Sequence, residues 1–397
     1  MSAMGSSLQR WILRRALTSR GLPPLEVRLW NGGEVASGPD PVARLEIRDP
    51  RVLWDLALRP DPGLARAYED GRLGVDGDLL TLVEALFRVD GPGPTRLQRL
   101  RRVLDRRPRS SKRRARRNIH HHYDLGHDFF SLWLDPRMVY TCGYFRKPEY
   151  TLEEAQLAKF DHVCRKLALR PGERVVELGC GWGGLALHMA EQYGVHVRAF
   201  DLSHDQIAWN REEAKRRGLE GRLEFVQDDY RNVHERCDAL VSVGMVSHVG
   251  RGRYRALSRV IDRCLDSGGR GLIDTTARHR PKPLSPWLEE RIFPGSYIPS
   301  LRELMVIFEP RDFVVLDVEN LRLHYARTAE LWLERFEQQA DKVESLFDER
   351  FVRTWRLYLA ATCATFRTGA AHHFQVLFSR ADNDRIPWTR EGVYEAR

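Results

Sequence analysis

Four glycines fall within six positions, Gly179, Gly181, Gly183 and Gly184, directly after the apolar-acid run Val175-Val176-Glu177-Leu178. No other stretch limits the fold as much. A run this short and apolar reads as a buried strand, and the glycines after it allow backbone conformations and close ligand approach that a Cβ would block. The next residues, LALHMAEQYG, have helical spacing. HVRAFDLS reads as a strand, DQIAWNREEAKRRG as a helix, and RLEFVQDD and DALVSVGM as strands. RYRALSRVIDRCL then reads as a helix and GGRGLIDTT as a strand. Strands alternating with helices predict an α/β fold with a doubly wound, mostly parallel sheet of Rossmann-like type and helical insertions.

The chain has 397 residues, more than one average domain needs. Upstream of the alternation, residues 25–58 read as strand-rich and residues 62–88 as helices broken at Gly71 and Gly77. Together they predict a small N-terminal α+β domain over residues 1–95, with a short, imperfectly amphipathic helix at 8–17. Residues 96–117 then form a basic linker, with twelve Lys or Arg and the single acid Asp105. The large α/β domain follows as residues 118–397.

Lys and Arg total 64 against 55 acids, a formal charge of +9, which suits an anionic partner. No nucleic-acid-binding signature accompanies the Arg96–Arg117 run, so the expected partner is an anionic lipid head group. No apolar run is long enough to span a bilayer, and Arg10, Arg14 and Arg15 interrupt any signal-peptide core. The expected location is cytoplasmic, peripheral on the inner face of the membrane. The six cysteines form no CxxC pair and read as reduced thiols. Adjacent His120, His121 and His122 converge poorly on one ion, so no metal is expected.

The glycine loop carries an acid before its first glycine. A pyrophosphate would be repelled by Glu177, whereas an ammonium would be attracted. The core E-L-G-C-G-W-G resembles the S-adenosylmethionine motif of class I methyltransferases. Glu177, Gly179, Gly181 and Gly183 are therefore candidates for the methionine part of that cofactor. Asp201, which ends the second strand beside Leu202, is the candidate for the ribose hydroxyls. Asp228, Asp229 and Tyr230 end the third strand where adenine belongs. Either acid can accept from its amine, and Tyr230 can stack.

Residues 118–145, NIHHHYDLGHDFFSLWLDPRMVYTCGYF, are dense in aromatics. They resemble the entry segment of the cyclopropane-fatty-acyl-phospholipid synthase family. ELGCGWGGLA, SVGMVSHVG, IFPGSYIPS, HYARTAELWLERF and FQVLFSR continue the resemblance in order over roughly residues 118–380. It implies that Tyr140, Thr141 and Gln206 contact S-adenosylmethionine along with Gly179, Gly181 and Tyr230. The family usually has Thr at the position of Asp201. It also implies a phospholipid acyl chain as substrate and a catalytic set drawn from Cys142, Ser247, His248, Asp274 and Tyr325.

Two positions depart from the family. The resemblance implies a bound bicarbonate base held by a Cys backbone, a Glu, a His and a Tyr. Cys142 and Tyr325 match, but the Glu is Ser247 and the His is Asp274. A carboxylate where an imidazole is usual repels bicarbonate, so Asp274 is expected to act as the base itself. The expected product is a methylene- or methyl-branched chain. Cyclopropanation and a catalytically impaired lipid-binding homologue are the alternatives. A homodimer, and a separate reductase acting on a methylene product, stay open.

Overall fold

The computed structural model describes Leu13 and residues 22–58, 60–88 and 125–394. The predicted helix at 8–17, apart from Leu13, the Arg96–Arg117 run and His120–His122 lie outside these residues. The chain divides into two compact units.

The first unit holds the described residues before Arg109, with Ser285–Ile292 and Trp332–Ala370. Its sheet runs in the order β2-β1-β3-β4, with β1 at Leu25–Leu29, β2 at Glu34–Ala36, β3 at Ala43–Ile47 and β4 at Leu73–Asp76. Alternate residues Leu25, Val27, Leu29 and Ala43, Leu45, Ile47 are buried, the period-two pattern of a sheet with one covered face. The strand-rich reading of 25–58 fails at its end, where Arg51–Leu58 is a helix. The reading of 62–88 as helices alone missed β4, which lies between positive-φ Gly71 and Gly77.

The helices of 332–370, placed by sequence in the α/β domain, group with this unit. Arg353, in the helix Glu349–Arg367, donates to Tyr68 O and Leu73 O at 2.6 and 2.9 Å. Glu69, only 3% exposed, accepts from Trp287 Nε1 and pairs with Arg291 and Arg350. A buried carboxylate is tolerated when paired this fully.

The second unit carries a seven-stranded sheet in the order β10-β11-β9-β8-β5-β6-β7. Its strands are β5 Arg174–Leu178, β6 His196–Asp201, β7 Leu223–Gln227, β8 Cys237–Val243, β9 Leu265–Ala277, β10 Phe313–Asn320 and β11 His372–Arg380. Pairings from β7 through β9 are parallel, while β11 runs antiparallel to both β9 and β10. Val175, Val197, Ala199, Ala239 and Leu272 face one apolar core. Val176, Phe200, Leu240 and Ile273 face the other. Helices therefore cover both faces, as doubly wound folds require. All six cysteines are buried thiols. Among the described residues, no helix is long and apolar enough to cross a membrane.

Candidate active site

Strand order reverses at β5, where the chain moves outward to β6 and β7 on one side and to β8 and β9 on the other. Ligands of such sheets bind at the carboxyl ends of the strands beside this switch point. The candidate residues gather there.

The turn after β5 is built from left-handed glycines, with φ of 81° at Gly179, 53° at Gly181 and 74° at Gly183. They differ in what surrounds them. A Cβ on Gly183 would lie 2.8 Å from Asn210 and Phe225, and one on Gly179 would lie 2.9 Å from Met245. Among the described residues, a Cβ on Gly181 would meet nothing within 4 Å. Gly183 and Gly179 thus serve packing, while Gly181 borders open space that a ligand can enter. Asn210 Nδ2 fixes the turn by donating to Gly181 O at 2.7 Å.

Glu177 is 2% exposed, and among the described residues its Oε2 has no hydrogen-bond partner. Burial pushes its carboxyl up to about 8, opposed by Lys159 and reinforced by Asp201. A buried, unsatisfied carboxyl oxygen costs stability until a cation or donor meets it. An ammonium group supplies both.

Asp201 is more occupied than the sequence suggests. Oδ2 accepts from Gly181 N at 3.0 Å, and Oδ1 accepts from Leu202 N and Ser203 N at 2.7 and 3.1 Å. Its carboxylate therefore ties β6 to the glycine turn, and only its remaining lone pairs can reach a ribose. Leu202 enters that tie through its backbone amide. Gln206 is buried one turn into the helix His204–Arg216, whose N-cap is Ser203.

The pair left undecided by sequence separates. Asp229 is 3% exposed, caps the short turn that follows and is held by Arg231 Nε at 2.7 Å. Asp228 uses Oδ1 alone to accept from Asp229 N and Asn232 Nδ2. Asp228 is therefore the better acceptor for an exocyclic amine. The Tyr230 hydroxyl is buried without a partner among the described residues, and burial raises it to about 12.

The helix Leu152–Lys166 begins with a Thr151–Glu154 capping box and presents Gln156 and Lys159 one turn apart. Gln156 Nε2 donates to Thr141 O, and Lys159 Nζ donates to Thr141 Oγ1, both at 2.9 Å. Thr141 is thereby clamped beside Gly244, its Cγ2 being 3.0 Å from where a Gly244 Cβ would stand. Tyr140 packs against Phe130 and Trp133. Cys142 is buried, and burial first, then the charge of Asp274, holds its thiol protonated.

Asp274 is 1% exposed on β9. His373 Nε2 donates to its Oδ1 at 2.7 Å, and Gln375 Nε2 donates to its Oδ2 at 3.1 Å. Burial alone would raise this carboxyl. His373, Lys159 and Gln375 together outweigh burial and keep it below the usual carboxylate range. Tyr325 stands edge-on to the His373 ring at 4.9 Å. Ser247 and His248 bond elsewhere: Ser247 Oγ donates to Gly244 O, and His248 Nδ1 lies 3.1 Å from Ser296 Oγ. Burial lowers the His248 imidazole to about 4, so it is neutral at physiological pH. His373 and Gln375 were not singled out from the sequence. The signal was present, because period two along HHFQVLFSR places both on one strand face.

Sheet order, glycine turn and buried acid together define a class I S-adenosylmethionine-dependent methyltransferase. More narrowly, the chain belongs to the mycolic acid cyclopropane synthetase family, whose model matches residues 110–376. It is 34% identical to a probable fatty acid methyltransferase of Pseudomonas putida, over 94% of this chain and 96% of that one. It is 33% identical to the cyclopropane-fatty-acyl-phospholipid synthase of Escherichia coli K12, over 89% and 91% respectively. The crystal structure of mycolic acid cyclopropane synthase CmaA1 complexed with SAH and CTAB superposes with a TM-score of 0.64. That likeness has 30% identity and covers 67% of this chain and 98% of that one.

Proposed function

We propose that this protein methylates the double bond of an unsaturated fatty acyl chain of a membrane phospholipid and releases a methylene-branched product, which a separate reductase would convert to a methyl branch. The observation that carries this reading is the buried, ionised Asp274, paired with His373 at 2.7 Å.

S-adenosylmethionine, when bound, supplies an electrophilic methyl group on a sulfonium. Glu177 would meet its ammonium, Gly181 would leave room for its methionine part, and Asp228 would accept from its adenine amine. Thr141, Tyr140 and Gln206 complete the expected set, with Asp201 and Leu202 holding the turn. The alkene's π pair forms the new C–C bond and leaves a carbocation on the adjacent carbon of the acyl chain. Tyr140, half-buried and packed against Phe130 and Trp133, would offer a π face that stabilises such a cation. Burial keeps water from trapping it. A proton beside a carbocation is strongly acidic, so its acceptor needs an available lone pair more than a high pKa. An ionised Asp274 meets that need. After a hydride shift, loss of a proton from the added methyl gives a methylene branch on the chain. Loss without the shift closes a cyclopropane ring.

Cys142 and Tyr325 support the ring-forming alternative, since both are retained. One assay separates the two. Vesicles of dioleoyl phosphatidylglycerol are incubated with the enzyme and methyl-labelled S-adenosylmethionine, and the released fatty acids are examined by mass spectrometry and proton NMR. Ring and methylene are isomers, so mass counts the transfer and NMR assigns it. Olefinic methylene protons are expected. Cyclopropyl protons alone would make the protein a cyclopropane synthase. Docking on the inner membrane face through the Arg96–Arg117 run belongs to this reading, supported by the density of positive charge.

A further inference from the structure

We propose that His373 is the positioning residue of the base, forming with Asp274 a closed carboxylate–imidazole pair that takes the place of a bound anion. The inference rests on the reading of Asp274 as base. It concerns what makes that carboxylate competent.

The pair comes from two neighbouring strands. Register sets Gln375 opposite Asp274 and His373 opposite Thr276 in the antiparallel ladder of β9 and β11. His373 therefore reaches diagonally to Asp274, at 2.7 Å, while its Nδ1 lies 3.3 Å from Thr276 Oγ1. Both ring nitrogens are engaged, the ring is 2% exposed, and Tyr325 packs edge-on against it. The imidazole is fixed in plane and rotamer. Asp274 and His373 bond directly, so no anion stands between these two groups. The site nevertheless contains a carboxylate, an imidazole, a cysteine and a tyrosine. The imidazole is delivered from β11 and the carboxylate from β9.

The groups facing Asp274 are His373 and Gln375 from β11, Lys159 from the helix Leu152–Lys166, and Cys142. His373 is the largest of the stabilising influences on the carboxylate, and it also orients it. In the proton step, a C–H bond of the acyl cation breaks. Its electron pair forms the π bond of the methylene, or the closing bond of the ring when no hydride shift has occurred, and the proton goes to a lone pair of Asp274. The proton returns to solvent when product leaves. No oxidant or further reactant is needed.

The test compares His373→Gln, which retains a donor near the Nε2 position, with His373→Leu, which does not. S-adenosylhomocysteine affinity by calorimetry and thermal unfolding by circular dichroism serve as controls. In His373→Leu, kcat is expected to fall at least about tenfold. The acid limb of kcat/KM should move up by about one pH unit, because Asp274 loses the partner that keeps it ionised. Cofactor affinity should stay within about twofold. His373→Gln should recover most of the turnover. The unaltered enzyme, assayed in carbon-dioxide-depleted buffer with and without added bicarbonate, should show equal rates. Equal loss in both variants with an unmoved acid limb, or stimulation of the unaltered enzyme by bicarbonate, would overturn the pair as base. Should His373→Leu not fold, His373→Gln and the bicarbonate response decide. Failure of the unaltered enzyme to methylate vesicles would instead remove the functional reading itself.

Discussion

Replacing Glu177 by Gln tests whether cofactor binding is tied to one buried proton. Glu177 is 2% exposed, has an oxygen without a partner among the described residues and holds its proton up to about pH 8. An incoming ammonium favours the ionised form, so binding must first remove that proton. At pH 7 the group sits one unit below its raised value, which costs about 1.4 kcal/mol, and at pH 6 about twice that. Affinity should therefore rise with pH, about tenfold for each unit from pH 6 toward 8, and then level off. The sign follows from the raised value: the neutral acid dominates below pH 8, and its loss is what the ligand requires. S-adenosylhomocysteine titrated calorimetrically at several pH values, in buffers of differing ionisation heat, gives both affinity and proton release. Glu177→Gln keeps the shape but has no proton to lose, so its profile reports the ligand amine alone. The unaltered protein minus the variant should show release of nearly one proton at pH 7. A flat affinity between pH 6 and 8 with no proton release would refute the assignment of Glu177 to the ammonium.

Gly181→Ala should fold and lose cofactor affinity, because its Cβ enters open space at a cost of about 1–2 kcal/mol for the left-handed backbone. Gly183→Ala should instead lower the unfolding temperature, since its Cβ meets Asn210 and Phe225 at 2.8 Å; calorimetric binding and thermal scans separate the two. Asp274→Asn should bind S-adenosylhomocysteine normally and turn over about 10²–10⁴-fold more slowly, as measured by label transfer to vesicles. Neutralising Arg113, Arg114, Arg116 and Arg117 should weaken sedimentation with anionic vesicles and flatten its salt dependence.

The sequence made the sheet legible because burial on two faces gives each strand of β5–β9 a short apolar run, and helices separate most of them. The glycine turn stood out for a local reason, as glycines clustered after a buried strand mark a close backbone approach to a ligand. Where the reading failed, the deciding forces were not local. Arg51–Leu58 carries Val and Trp that suit a strand, yet with its three Leu, Ala and Arg it folds as a helix. Strand β4 is only four residues long between two glycines, and its pairing with β3 gives it its identity. Asp228 and Asp229 are indistinguishable in sequence, and burial, the capped turn and the reach of Arg231 separate them. His373 lies 99 residues from its partner, so only the register of β9 against β11 reveals it.

The place of β11 bears on how an active molecule comes into being. Residues 174–243, which carry the glycine turn and the acids beside it, leave the ribosome well before His372–Arg380. That last strand must insert between β9 and β10 and bond to both. Pairings over so long a span of sequence form slowly. During synthesis the chain therefore passes through a stage in which the cofactor half of the sheet can assemble while Asp274 has no imidazole beside it. On the proposed reading of Asp274 as base, the pair with His373 is completed only when the final strand arrives.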